Sequence, residues 1–229
     1  MTVNYNTSIV IDGLVLCLDA ANTKSYPGTG TTWYDLMSSI NGTIDGATYS
    51  SDNGGIFDFD GTNDKVSVAS SSDLTFGTGD FTVEFWVNPD DFGSRGTFYD
   101  SRPSGGTTGI TIGHESSSGE IRVYMIAASG SDIVVQSSDF EIGKWQHIAV
   151  TRSSGTVRLF INGILKDSET RTSDLNNTNA VNIGYKTYTS STYDYFDGDI
   201  ATAHIYKGKG LSGTEVTQNY NALKERFGL

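Results

Sequence analysis

Positions 60 to 64 place side-chain oxygens at Asp60, Thr62, Asn63 and Asp64, with only Gly61 breaking the run. Such a loop can offer a hard cation about three of the ~6–8 oxygens that Ca²⁺ takes. Further ligands have to come from elsewhere. The other dense acidic stretch is Tyr193-Asp-Tyr-Phe-Asp-Gly-Asp-Ile200, with Asp194, Asp197 and Asp199. A second reading stays open at this point: Asp60-Gly61 is a plain hairpin turn and the late aspartates cap strands.

The late region also concentrates tyrosine, at Tyr185, Tyr188, Tyr193 and Tyr195. Aromatic faces flanked by carboxylates and amides bind sugars through apolar stacking and directed hydrogen bonds. Tyrosine equally braces long loops and anchors interfaces, so a sugar platform and an interface, in a homo-oligomer or a larger particle, are both open. Glycoside hydrolysis needs two carboxylates about 5–5.5 Å or ~6.5–9.5 Å apart. Glu84 is the best strand acid, but the residues two and four positions on are Trp86 and Asn88. Asp197 and Asp199 flank Gly198, a turn residue. No catalytic residue is identified, and the chain reads as a non-enzyme. His114, His147 and His204 are scattered, with no Cys/His spacing for zinc. Cys17, inside Leu14-Val-Leu-Cys-Leu18, reads as a small buried apolar residue rather than a nucleophile.

The elements that must position these residues are strands. Ile9 to Leu18 is an apolar run suited to burial on both faces, and Asp80 to Pro89 alternates, with Phe81, Val83, Phe85 and Val87 on one face. Ile56 to Phe59 and Lys65 to Val68 flank the acidic loop as a hairpin. Short strands follow at Gly109–Gly113, Ile121–Ala127, Asp132–Gln136, Ile148–Thr151 and Val157–Ile161. Asn162-Gly163 is a strong two-residue hairpin signal, because both residues tolerate positive φ. Asn179–Gly184 and Gly198–Tyr206 supply two late strands. Near the end the period changes: Ser212 with Glu215 forms a capping box, and Val216, Tyr220, Leu223 and Phe227 fall at helical spacing. A terminal helix is predicted over 213–227, and Trp86 and Trp145 read as structural residues.

Three stretches carry a resemblance. Gly55-Ile-Phe-Asp-Phe-Asp-Gly-Thr-Asn-Asp-Lys-Val-Ser-Val68 resembles the FDG-x-(D/N)-D-x-V signature of laminin-G-like, concanavalin A-type jelly rolls. Asp80-Phe-Thr-Val-Glu-Phe-Trp-Val-Asn-Pro89 and Gly143-Lys-Trp-Gln-His-Ile-Ala-Val-Thr-Arg152 look like that family's dFTisaWv-x-P and W-x-H-v-A-v-T strands, in matching order. The resemblance implies an all-β, two-sheet antiparallel jelly-roll sandwich with a short C-terminal helix, as one domain over 1–229. It also implies that the late strand lies beside the FDG strand, which makes Asp60, Asn63, Asp64 and Asp199 the candidate calcium ligands. One departure weakens that set, since relatives place an acid where this chain has Ala201. The E-x-D-x-E triplet of laminarinase-type relatives is absent. The terminal segments resemble laminin-G-like virion proteins of tailed phages, cyanophages among them. That resemblance implies a non-catalytic module on a virion surface, decorating a capsid or forming part of a tail fibre. Its partners would be phage capsid or tail proteins and host-surface glycans. The alternatives are a free-standing bacterial carbohydrate-binding lectin and a glycoside hydrolase.

Composition agrees with many short strands and tight turns: 27 glycines, 3 prolines and abundant Ser, Thr, Asn and Asp. A formal charge of −12 repels phosphate backbones, and no basic patch interleaves with aromatics, so nucleic acid is excluded as a partner. No apolar stretch approaches the ~18 residues of a membrane span, and the N-terminus lacks the features of a signal peptide. Synthesis in a bacterial host cytoplasm is the resulting expectation. A single cysteine permits no disulfide within the chain, so the core must supply the stability.

Overall fold

Strands whose alternate side chains are apolar bury one face and leave the other for different neighbours. The computed structural model describes residues 8–38, 40–102, 108–127, 130–176, 179–189 and 192–229. Its first sheet contains β1 (Leu14–Asp19), β4 (Thr48–Ser50), β5 (Ile56–Asp60), β7 (Phe81–Pro89), β12 (Gln146–Ser153), β13 (Thr156–Ile161), β14 (Ile164–Thr170) and β18 (Asp197–Lys207). The order is β14-β13-β12-β7-β18-β5-β4, with β1 also paired to β18. The second sheet runs β11 (Gly130–Ser137), β10 (Ile121–Ala127), β9 (Gly109–His114), β8 (Gly96–Asp100), β15 (Val181–Ile183), β6 (Lys65–Val68), β3 (Gly42–Asp45), β2 (Thr32–Trp33). A separate hairpin pairs β16 (Tyr185–Thr189) with β17 (Thr192–Tyr195). The pairings are antiparallel throughout the described residues, and the two sheets form the jelly-roll sandwich.

The core lies between the sheets. Phe81, Val83, Phe85 and Val87 of β7 point into it with Phe57, Phe59, Ile110, Ile112, Ile148 and Ile205. Glu84 and Trp86 occupy the opposite face of β7, which is also buried, because the chain's end covers it. There α1 (Gly213–Leu223) starts at Ser212, whose capping box is complete: its hydroxyl accepts from Glu215 N–H, and the Glu215 carboxylate accepts from Ser212 N–H at 2.8 Å. Val216 packs on Leu14, Cys17 and Phe160, while Phe227 packs on Ile56, Trp86 and Ala201. A helix covering one sheet face completes the layering that the sequence pattern requires.

Of the boundaries that differ from expectation, two shape the layer under α1. The first strand begins at Leu14, not Ile9. Gly13 takes φ +78°, and the chain before it crosses to α1, where Val10 N–H donates to Asn219 Oδ1 at 2.8 Å. The α-helix stops at Leu223, and its last turn, Lys224–Phe227, tightens to a 3₁₀ helix before Gly228 at φ +73°. The predicted Asn162-Gly163 turn is present, with φ of 53° and 76°.

Candidate functional site

The acidic loop joins β5 to β6, and β18 lies beside it, as expected. Register pairs Asp197 with Asp60 and Asp199 with Asp58, so the acid beside the loop is Asp197 rather than Asp199. The loop carboxylates are engaged by backbone. Asp60 Oδ1 accepts from Thr62 N–H at 2.8 Å and Asn63 N–H at 3.4 Å. Asp64, buried, accepts from Asp60 N–H at 3.0 Å. Asp199 accepts from Asn88 Nδ2 at 3.3 Å. Among the described residues no three Asp, Glu, His or Cys side chains gather as a metal-binding group. The carboxyls nevertheless crowd one another. Burial first, then Asp90, Asp58 and Asp52, push the Asp199 carboxyl up to about 6. Burial followed by Asp91, Asp90, Asp58 and Asp60 raises Asp197 as well.

The tyrosine-rich stretch forms the β16–β17 hairpin. Tyr185 and Tyr195 are cross-strand partners, their half-buried rings 4.9 Å apart at 35°, with Lys65 Nζ 5.5 Å from the Tyr185 ring. The backbones of Tyr188 and Tyr193 belong to the hairpin, but their side chains lie outside the described residues. Under the hairpin Lys186 is buried against the Tyr124 ring, with Asp194 3.8 Å away. Burial pushes its ammonium down to about 8. The enclosed space beside Arg95, Thr111, Glu115, Tyr124 and Lys186 measures only ≈ 10 Å³. Through Lys186 the hairpin therefore sits directly on the polar outer face of the second sheet.

Glu84 is likewise unavailable to solvent. It is 1% exposed beneath α1, 3.4 Å from His147 Nε2 and 3.0 Å from His204 Nδ1, and it accepts from Asn219 Nδ2 at 2.8 Å. His114 is a core residue among Phe92, Phe98, Phe140 and Phe196, and burial holds its imidazole down at about 4.

An open cleft of ≈ 680 Å³ lies elsewhere, at one end of the sandwich, where residues 70–78 face Asp174, Asn176 and Lys207. Serine and threonine hydroxyls make up most of its first wall, and Phe76 supplies an apolar floor. The walls are fixed from beneath by Arg152, whose side chain has no exposed surface. Its Nε donates to Gly79 O at 2.9 Å, Nη1 to Ser173 O at 2.9 Å, and Nη2 to Gly77 O and Gly79 O at 2.7 and 2.6 Å. Leu175 N–H donates to Gly77 O at 2.9 Å, and Lys207 Nζ to Ser72 O at 2.5 Å. Five planar donors on one guanidinium can tie separate loops together in a way no flexible ammonium can. Sequence reasoning did not find this cleft. The one signal was a charged residue ending the otherwise apolar strand Ile148-Ala-Val-Thr-Arg152.

A family model described as the concanavalin A-like lectin/glucanases superfamily matches residues 60–217. The chain belongs to this family. Similar solved structures include the botulinum neurotoxin serotype G binding domain, at 19% identity and TM-score 0.67, covering 90% of this chain and 50% of that one. The binding domain of a paraclostridial mosquitocidal protein aligns at 18% identity and TM-score 0.70, covering 92% and 52%. A botulinum neurotoxin type C structure, that of a toxin dependent on interaction with two ganglioside molecules, aligns at 17% and 0.70, covering 92% and 51%. The chain thus spans about half the length of these neighbours, and identities this low speak for the fold alone. Comparison with curated proteins gives no match.

Proposed function

We propose that this concanavalin A-like domain is a non-catalytic binding module whose ligand is a glycan held in the end cleft. The observation that carries the reading is the Arg152 staple, which presets two polar loops around an open space of ≈ 680 Å³. Asp174, Asn176, Lys207 and the serine hydroxyls supply directed hydrogen-bonding groups, and pre-ordered loops spare the ligand their ordering cost. Ganglioside interaction by the type C toxin supports a sugar as the ligand class. The buried position of Glu84 supports a role without hydrolysis. The resemblance of the terminal segments to phage virion proteins supports display on a particle, with capsid or tail proteins as neighbours and host-surface glycans as targets.

A glycan array followed by calorimetric titration tests the reading. Specific micromolar binding is expected, lost in both Asp174→Ala and Asn176→Ala while the melting temperature holds. An array without hits, or binding that survives both changes, sinks it. Retained binding that disappears instead in Tyr188→Ala and Tyr193→Ala moves the site to the hairpin.

A further inference from the structure

Two lysines stand where β18 ends, in Lys207-Gly-Lys209, and the fold treats them differently. Lys209 is held by two carboxylates, Asp12 at 3.3 Å and Glu215 at 2.7 Å. Among the described residues Lys207 has no carboxylate within ion-pair distance. Its ammonium donates to the Ser72 carbonyl at 2.5 Å, which occupies one of its three N–H groups. The side chain is half-buried and lines the end cleft, so its other donors are left for whatever enters there.

A second cation lies behind the wall. Arg152 directs its donors to the carbonyls of Gly77, Gly79 and Ser173, which are neutral, and Asp80 and Asp174 act on it only from further away. A charge in a dry surrounding is poorly screened, so the wall carries the field of a guanidinium that never reaches the surface. The opposing charge stands elsewhere along the same wall. Asp174 Oδ1 accepts from Asn176 N–H at 2.9 Å and approaches Gly77, where a side-chain carbon would meet it at 3.8 Å. Lys207 instead touches the wall at Ser72, and no ion pair joins it to Asp174. The cleft is therefore polarised, with an ammonium at its Ser72 end, a carboxylate at its Gly77 end, and Thr75 and Phe76 between them.

We infer that the glycan taken by this cleft is acidic, with one carboxylate or sulfate ester that pairs with Lys207 while sugar hydroxyls donate to Asp174. The inference rests on the cleft reading and adds the charge of the ligand to it. A neutral sugar satisfies Asp174 but leaves the ammonium without a counter-ion. An ammonium is a compact point charge on a flexible stem, so it takes a carboxylate and a sulfate ester alike. The formal charge of −12 limits how many negative charges the ligand carries, because a densely sulfated chain meets repulsion from the surface beyond the cleft. Lys207 is thus the residue that sets specificity, and Arg152 reinforces it through its field rather than by contact.

Matched oligosaccharides test it. The probes are glucose- and galactose-terminated chains, the same chains ended by the corresponding uronic acid, the same chains sulfated on the terminal 6-hydroxyl, and dextran sulfate. Dissociation constants are measured for the parent, Lys207→Met and Lys207→Arg. An ion pair open to solvent on one side contributes up to about fivefold in affinity, so the parent should bind an acidic chain about fivefold more tightly than its neutral counterpart. That ratio should fall to about one in Lys207→Met and return in Lys207→Arg. It is taken within each protein, so a general loss of affinity cannot imitate the effect. Equal or tighter binding of the neutral chains by the parent overturns the inference and leaves the cleft a site for neutral sugars. Tightest binding of dextran sulfate overturns it too, as does an acid preference that survives in Lys207→Met. A parent that binds none of the probes overturns the cleft reading and this inference together. The parent's ratio decides the ligand's charge even if Lys207→Met fails to fold.

Discussion

Arg152 donates twice to the Gly79 carbonyl, through Nε at 2.9 Å and Nη2 at 2.6 Å, from a side chain with no exposed surface. Replacing it by methionine keeps the bulk beside Phe81 but leaves the carbonyls of Gly77, Gly79 and Ser173 without these donors. A hydrogen bond from a charged group contributes about 1.5–3 kcal/mol, so Arg152→Met should lose ~3 kcal/mol or more in denaturant unfolding. Arg152→Lys should recover only part of that, since one ammonium cannot serve three carbonyls in a plane. In both variants the glycan binding proposed for the end cleft should weaken as well. Equal unfolding midpoints for Arg152→Met and the parent would show that the loops hold themselves.

The Glu84–His204 pair predicts a pH optimum. Burial pushes the Glu84 carboxyl up, yet hydrogen bonds from His147 and His204 outweigh it and bring it down to about 2 from 4.5. A depressed acid adds stability that is present above its unfolded value and lost as pH falls through the folded one, here from about 4.5 towards about 2. A raised imidazole works the other way: the His204 contribution is complete below about 6.5 and is lost as pH rises through its folded value. Both describe one shared ion pair, so the contribution is counted once, at about 3 kcal/mol, and is fullest between about pH 4.5 and 6.5. Unfolding free energy measured across pH should flatten on both limbs in Glu84→Gln. Parallel profiles for variant and parent would mean that the pair is not ionised.

How much of this was legible in the sequence depends on distance along the chain. Local signals were readable: the turn at Asn162-Gly163, the capping box at Ser212 and Glu215, and the core face of β7 all follow from neighbours within a few positions. Cross-strand rows were not. Glu84 and His204 meet only because β18 runs beside β7, and no spacing in the sequence encodes that meeting. That Asp197 rather than the predicted Asp199 stands beside Asp60 was hidden for the same reason. The end cleft was hidden because its walls are loops, whose placement depends on a single buried arginine.

Burial separates the two tryptophans that the sequence grouped together. Trp86 is 1% exposed and stacks on Phe227 at 4.4 Å and Tyr220 at 5.6 Å, whereas Trp145 is half-buried against Phe227 at 4.5 Å. Trp86→Ala removes the platform under the terminal helix and should cost ~3–5 kcal/mol. Trp145→Ala should cost clearly less and still yield soluble protein. For comparison, Ser212→Ala should cost about 1 kcal/mol through the lost cap. Thermal melts of the three variants should rank in that order; Trp145→Ala melting below Trp86→Ala would reverse the assignment of which ring supports α1.

Asp199 decides between turn and cation. Its carboxyl is pushed up to about 6, first by burial and then by Asp90, Asp58 and Asp52, with Asn88 opposing. An acid raised in the folded state destabilises it above that value, and the penalty fades as pH falls towards the unfolded value of 3.8. Without a bound cation, Asp199→Asn should therefore stabilise the protein near pH 7, by about 1 kcal/mol once solvent screening is allowed for. Chelator should then leave the parent's melting temperature unchanged, because the Asp60 and Asp64 carboxylates are engaged by backbone N–H groups. With calcium bound the signs invert. A ligand at about 100 times its dissociation constant adds ~2.7 kcal/mol, so chelation should lower the melting temperature by several degrees and Asp199→Asn should destabilise. Register seats Asp197, not Asp199, beside Asp60, so the variant at Asp199 tests the predicted ligand set directly. Melting curves with added Ca²⁺, with chelator and with the variant distinguish the two in one experiment, and a chelator-sensitive parent whose sensitivity vanishes in Asp199→Asn would establish the calcium site.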